Sequence, residues 1–100
     1  VLVLGMGEDG HTASLFPGSD NLAHALRDDC PEPCVPMRAP SAPHERLSLS
    51  YPILASARTQ YLAIQGLAKL DTLRDALAAD ALQMPIRAFM HSPLEIYWCP

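Results

Sequence analysis

The chain has no basic excess, no long apolar run and no even set of cysteines, and each lack narrows what it can be. Seven Lys and Arg against eleven Asp and Glu give a formal net charge of −4. That leaves no electrostatic footprint for nucleic acid or an anionic membrane. No stretch approaches the roughly 20 apolar residues needed to span a bilayer, and the apolar start lacks the basic flank of a secretory signal. The three cysteines are odd in number, with Cys99 far from the others, so they make no disulfide framework. Cys30 and Cys34 lie in the proline-interrupted stretch CPEPC. A metal site there would borrow His24 or His44, but no second ligand pair has useful spacing. Free thiols in a reducing cytosol and no metal are therefore expected. An initiating methionine is also missing, and Val1 reads as if it lay inside a sheet. The expectation is the C-terminal portion of one larger domain, with its N-terminal part absent.

What is present is ordinary for a globular domain: 100 residues, 49% hydrophobic and 18% charged. VLVLG is a continuous apolar run closed by glycine, which suits a buried parallel strand. Residues 21–29 read as a short helix. CPEPCVPMRAPSAPHE carries five prolines and is expected as a long stiff loop, neither helix nor central strand. RLSLS alternates as a strand, and Pro52 opens a short helix, PILASA. QYLAIQG is a second buried strand. LAKLDTLRDALAADAL is the clearest helix, with Leu67, Leu70, Leu73 and Leu77 on one stripe. MPIRAFMHS and LEIYWCP complete the reading as two short strands. Strands alternating with helices predict an α/β fold, a mostly parallel sheet flanked by helices.

Gly5, Gly7 and Gly10 in VLVLGMGEDGHTASLFPGS spell the dinucleotide-binding pattern G-x-G-x-x-G. That chemistry needs a substantial helix after the last glycine, to carry the pyrophosphate on its N-terminus. Only HTASLF separates Gly10 from Pro17-Gly18, and Glu8 and Asp9 stand where the pyrophosphate would lie. Two like charges about 4 Å apart cost about 4 kcal/mol at an effective dielectric of 20. Asp28 or Asp29 stands near the distance of the ribose-binding acid, but neither ends a strand. The nucleotide reading fails.

The loop nevertheless follows the carboxyl end of a parallel strand, where open α/β sheets bind ligands. Asp9 and His11 are two residues apart, so the carboxylate can orient the imidazole, the natural general base near neutral pH. The competing reading is a polar turn held by backbone hydrogen bonds. Ser14 lacks a nucleophile elbow and is expected to cap or pack in a short helix. A second site is suggested by Lys69 in the first turn of the leucine helix, where a cation opposes the helix dipole unless an anion binds there. Arg46, at the head of the RLSLS strand, adds a second positive charge. Either residue alone reads as a solvated surface side chain; together they suggest a phosphate site.

LGMGEDGHTASLFPGS closely resembles the hallmark segment of 6-phosphogluconolactonases. RLSLSYPILASA, YLAIQGLAKLDTL and PIRAFMHSPLEIYWC resemble that family's later blocks in the same order, so the likeness covers nearly the whole chain. The resemblance implies a fold shared with glucosamine-6-phosphate deaminases and related to ribose-5-phosphate isomerases. It implies cytosolic hydrolysis of 6-phospho-D-glucono-1,5-lactone to 6-phosphogluconate, with no required metal or organic cofactor. The implied partner is thus a small sugar-phosphate lactone, with no nucleic acid and no membrane; oligomeric state is left open. By the same resemblance, His11 matches the family's general base and Asp9 its acidic partner, while Arg46 and Lys69 match holders of the substrate phosphate. N–H groups of the Gly7 to Gly10 turn are expected to help hold substrate.

The related deaminases carry a glutamate five residues after the histidine, where this chain has Phe16, so a deaminase or isomerase is the lesser reading. His24, His44 and His91 are expected as surface or packing residues, and Trp98 and Cys99 as sheet-end packing. The family's N-terminal glycine- and serine-rich phosphate loop has no match here. A truncated, non-catalytic sugar-phosphate-binding module is therefore the alternative.

Overall fold

In the computed structural model, which describes residues 1–40 and 44–100, the elements follow one another as β1 (Leu2–Leu4), α1 (Leu22–Ala25), β2 (Cys34–Arg38), β3 (Glu45–Leu49), α2 (Tyr51–Ala55), β4 (Gln60–Gln65), α3 (Leu67–Leu77), a 3₁₀ turn (Pro85–Phe89) and β5 (Leu94–Cys99). The three continuous apolar or aromatic runs form one parallel sheet in the order β1-β4-β5. β4 is central, so its inward side chains Leu62 and Ile64 are buried, as a parallel strand covered by helices requires. Gln60 is buried too. Its side-chain amide donates to the carbonyls of Ala55 at 3.1 Å and Ala57 at 2.9 Å, which stitches the end of α2 onto the start of β4. The core gathers Leu4, Leu15, Leu22, Leu62, Ile86 and Phe89.

The proline-rich stretch is not a loop throughout. Cys34–Arg38 pairs antiparallel with β3 along its whole length, Pro36 opposite Leu47. A ribbon of two strands has only edges, so a proline without an N–H is tolerated in it. Val35 and Met37 turn inward while Cys34, Pro36 and Arg38 turn outward, a period-2 alternation that the count of prolines obscured. Residues 41–43 of the expected loop lie outside the described residues.

Other elements depart from the sequence reading for physical reasons. PIRAF winds into a 3₁₀ turn where a strand was expected. Three residues per turn eclipse i and i+3, which drives both Ile86 and Phe89 into the core at 0% and 1% exposure. HTASLF makes no helix but a tight turn closed by a bridge between Thr12 and Leu15, with Ala13 at φ 52°. In it the Ser14 N–H donates to Ser48 Oγ at 3.3 Å. The helix expected over 21–29 shrinks to Leu22–Ala25.

α3 ends at Leu77, short of the expected 82, and its leucine stripe enters the core only in part: Leu73 packs against it, Leu67 and Leu77 are 70% and 61% exposed, and Thr72 and Ala76 are buried. Trp98 and Cys99, expected as sheet-end packing, are both exposed, like every residue of β5 after Leu94. Trp98 holds its place through its indole N–H, which donates to Gly66 O at 2.8 Å.

Candidate active site

The site begins where β1 stops. The glycine loop leaves the carboxyl end of the strand and doubles back, with Gly10 N–H donating to Gly7 O at 3.0 Å and Gly7 N–H to His11 O at 2.9 Å. A side chain at position 7 would collide with the imidazole of His11, so only glycine lets that ring fold over the backbone. Gly10 adopts φ +84°, and a Cβ there would stand 2.8 Å from Met84 Cβ. Its carbonyl accepts the Ile86 N–H at 2.9 Å, tying the loop to the 3₁₀ turn. The N–H groups of Gly7 and Gly10 are thus already used inside the loop, contrary to the expectation that they face substrate. Gly7 lines the cleft described next, whereas Gly10 is buried behind it.

His11 is held from three sides. Its Nδ1 lies 2.5 Å from Asp9 Oδ1, and the same oxygen accepts the His11 backbone N–H at 3.0 Å. The ring packs against Phe16 with centroids 4.5 Å apart and planes 34° off parallel. Asp9 titrates below the ordinary carboxylate value. Partial burial opposes this, but the His11 backbone N–H, the ring hydrogen bond and the imidazole charge together outweigh it. Asp9 is therefore a carboxylate at neutral pH. An ionised carboxylate on Nδ1 favours the tautomer with its proton there, which leaves Nε2 as the acceptor. Among the described residues Nε2 has no hydrogen-bond partner.

The imidazole opens on a cleft of about 400 Å³ lined by Gly5, Met6, Gly7, His11, Thr12, Ala13 and Lys69. Lys69, from the first turn of α3, donates to Met6 O and so pins the β1 loop across the sheet. An ammonium has three donors, so two remain for a ligand. Thr12 Oγ donates to Gly5 O at 2.7 Å, and Thr72 Oγ reaches the carbonyls of Ala68 at 3.0 Å and Glu8 at 3.2 Å. These two threonines hold the loop from opposite ends, and nothing in sequence spacing singled them out.

His11, Asp9, Gly7 and Lys69 are thus brought together, as expected from the sequence. Arg46 is not among the residues that line the cleft. It projects from exposed β3 with its guanidinium carbon 5.3 Å from the centroid of Phe16, on a groove it shares with Pro36, Glu45 and Leu47. Arg46 and the imidazole thus share Phe16 as a neighbour, a residue that the sequence offers only as the absence of an acid. A separate groove of about 370 Å³ between Ser19 and Glu45 contains no histidine, cysteine or lysine. Two histidines expected to be simple surface or packing residues have partners: His24 Nε2 lies 2.7 Å from Glu32 Oε2, and His91 Nε2 lies 3.1 Å from Tyr51 Oη.

With this geometry in hand, likeness to known proteins becomes informative. The family model described as glucosamine-6-phosphate isomerases/6-phosphogluconolactonase matches residues 1–98. A 6-phosphogluconolactonase from Pseudomonas putida is 59% identical over 101 residues, covering 100% of this chain and 42% of the relative. The crystal structure of a 6-phosphogluconolactonase from Shewanella baltica superposes with a TM-score of 0.90 at 40% identity, over 98% of this chain and 43% of that one. A monomeric glucosamine-6-phosphate deaminase is similar at TM-score 0.68 and 20% identity, covering 97% of this chain and 44% of that one, which speaks to the fold alone. The chain spans about two fifths of the length of the relatives it matches. On the match over residues 1–98, the chain belongs to the glucosamine-6-phosphate isomerase/6-phosphogluconolactonase family.

Proposed function

We propose that this chain is the C-terminal portion of a single 6-phosphogluconolactonase-like domain and contributes the base of a site that hydrolyses 6-phospho-D-glucono-1,5-lactone to 6-phosphogluconate. The observation that carries the reading is the Asp9–His11 pair at 2.5 Å on the wall of a cleft that also contains Lys69. Neutral Nε2 of His11 takes a proton from water as the water oxygen bonds to the lactone carbonyl carbon. The tetrahedral oxyanion then collapses, the carbon–ring oxygen bond breaks, and the imidazolium returns its proton to the leaving oxygen. Asp9 stabilises the imidazolium between these steps. Lys69, in the cleft, and Arg46, across Phe16, supply the positive charge that anchors the substrate phosphate. The reaction so written balances without a metal or an organic cofactor, and a sugar-phosphate substrate of this kind belongs to the cytosol. Phe16 argues against deamination, because a buried phenyl ring moves no protons.

The test is lactone hydrolysis by the protein and its His11→Ala variant, read as acid release above the spontaneous rate. Loss of about 100-fold or more in turnover is expected, the span of general-base catalysis. Full turnover in His11→Ala would remove the proposed base. Binding of 6-phosphogluconate without any turnover would instead favour the non-catalytic module.

A further inference from the structure

Away from the His11 cleft, α1 and the loop after it bring three metal-ligating side chains to one corner. His24 Nε2, Cys30 Sγ and a Glu32 carboxylate oxygen all lie within 4.8 Å of one another. We propose that His24, Cys30 and Glu32 form a binding site for a zinc-class divalent ion, with water in the fourth position, which clamps α1 to the segment leading into β2.

The ligand chemistry selects the class of ion. One imidazole nitrogen, one thiolate and one carboxylate suit borderline metals such as zinc or cobalt(II) and not the all-oxygen shells of calcium or magnesium. The spacing comes near that of a metal shell, with all three ligand atoms within 4.8 Å of one another. Tetrahedral zinc with bonds of about 2.0–2.3 Å sets its ligand atoms roughly 3.3–3.7 Å apart. Cys30 Sγ to Glu32 Oε2 is 3.5 Å already. His24 Nε2 to Glu32 Oε2, at 2.7 Å, has to open slightly, which the half-exposed Glu32 side chain allows.

The loop is also prepared for the role. Pro31 and Pro33 flank Glu32 and fix φ on both sides of it, so little backbone entropy remains to be lost on binding. The Cys30 N–H is anchored on Arg27 O at 3.2 Å. The nearby cation that would repel a metal, the Arg27 guanidinium, is held by both Asp29 oxygens at 2.9 and 3.0 Å.

Without metal, the same groups satisfy one another. Glu32 sits below the ordinary carboxylate value because the His24 hydrogen bond favours its charged form, and the Cys30 thiol points at the Glu32 carboxylate and carbonyl. Binding replaces these bonds by three metal–ligand bonds. The Cys30 thiol gives its proton to solvent and binds as thiolate, and His24 binds as neutral imidazole. No electron changes hands.

Cobalt(II) titration of the reduced protein tests this, because a thiolate ligand gives an intense sulfur-to-cobalt charge-transfer absorption that zinc then quenches. The band is expected in the parent protein and in Cys34→Ser, and absent in Cys30→Ser. His24→Gln and Glu32→Gln, both at partly exposed side chains, are each expected to weaken cobalt binding at least tenfold, the lower end of what losing even an outer-shell partner costs. Lactone turnover is expected to be unchanged in His24→Gln, so failure of the metal site and failure of the hydrolysis proposal are read separately. No charge-transfer band in the parent, a band that survives Cys30→Ser, or one abolished by Cys34→Ser would each overturn the proposal. Should Cys30→Ser fail to fold, unaltered affinity in both His24→Gln and Glu32→Gln overturns it equally.

Discussion

Replacing Asp9 by Asn separates the orienting role of this carboxylate from a structural one. The change keeps size but removes the charge that holds the proton on Nδ1. One oxygen serves both the His11 backbone N–H at 3.0 Å and Nδ1 at 2.5 Å, so the amide either stays there as a weaker, neutral acceptor or turns its NH2 towards the ring and gives up the backbone N–H. Either way the Nδ1–H tautomer loses support, and the proton shifts towards Nε2, the atom that has to accept one from water. A wholly buried carboxylate–imidazole pair loses about 10⁴-fold in turnover from this swap. Here the Asp9 and His11 side chains are 44% and 32% exposed, so water competes for both partners. We expect a loss of about 100-fold, equivalent to about 2.7 kcal/mol in the barrier.

Stability follows a different course. A half-exposed carboxylate–imidazole hydrogen bond contributes no more than about 1 kcal/mol after solvent screening. Because folding lowers the Asp9 value beneath its ordinary 3.8, that contribution is fully present above 3.8 and fades as pH falls through the lowered folded value. The parent protein and Asp9→Asn are therefore expected to differ slightly in melting temperature at neutral pH and to converge in acid. Acid release at neutral pH gives the turnover, and thermal melts from neutral to acid pH give the stability. Unchanged turnover in Asp9→Asn would refute the orienting role. A large fall in melting temperature with a matching fall in activity would make Asp9 a structural residue.

Gly7→Ala places a methyl group where the imidazole lies. It is expected to lower turnover by about 10-fold or more while far-UV circular dichroism stays unchanged, since one ångström of misplacement can cost 10²-fold. Lys69→Met removes the ammonium that pins Met6 O. A net loss of about 1 kcal/mol in unfolding free energy is expected from denaturant titration, with a raised KM for the phosphorylated lactone that its unphosphorylated analogue does not show.

The Asp9–His11 pair was legible because the partners are two residues apart: a turn this tight leaves their side chains little choice but to meet. β4 was legible as well, because its apolar residues Leu62 and Ile64 are buried in the middle of the sheet, whereas β5 pairs with it although its residues from Glu95 to Cys99 are exposed. Residues distant in sequence were less legible. Lys69 was marked by its awkward place in the first turn of α3, but only folding shows that Met6 O receives it. Phe16 between His11 and Arg46 left no periodic signal at all.

The amino-acid sequence by itself determined the α/β alternation, the glycine loop and the histidine on it, because propensity, φ requirements and short-range spacing are local properties. Tertiary structure alone decided that Val35 and Met37 turn a proline-rich stretch into a strand, that α3 buries Thr72 and Ala76 more fully than any of its leucines, and that His24 meets Cys30 and Glu32. Each of those outcomes depends on which surface lies opposite, and a side chain's partner across the fold is fixed by packing, to which neighbours in the chain contribute little.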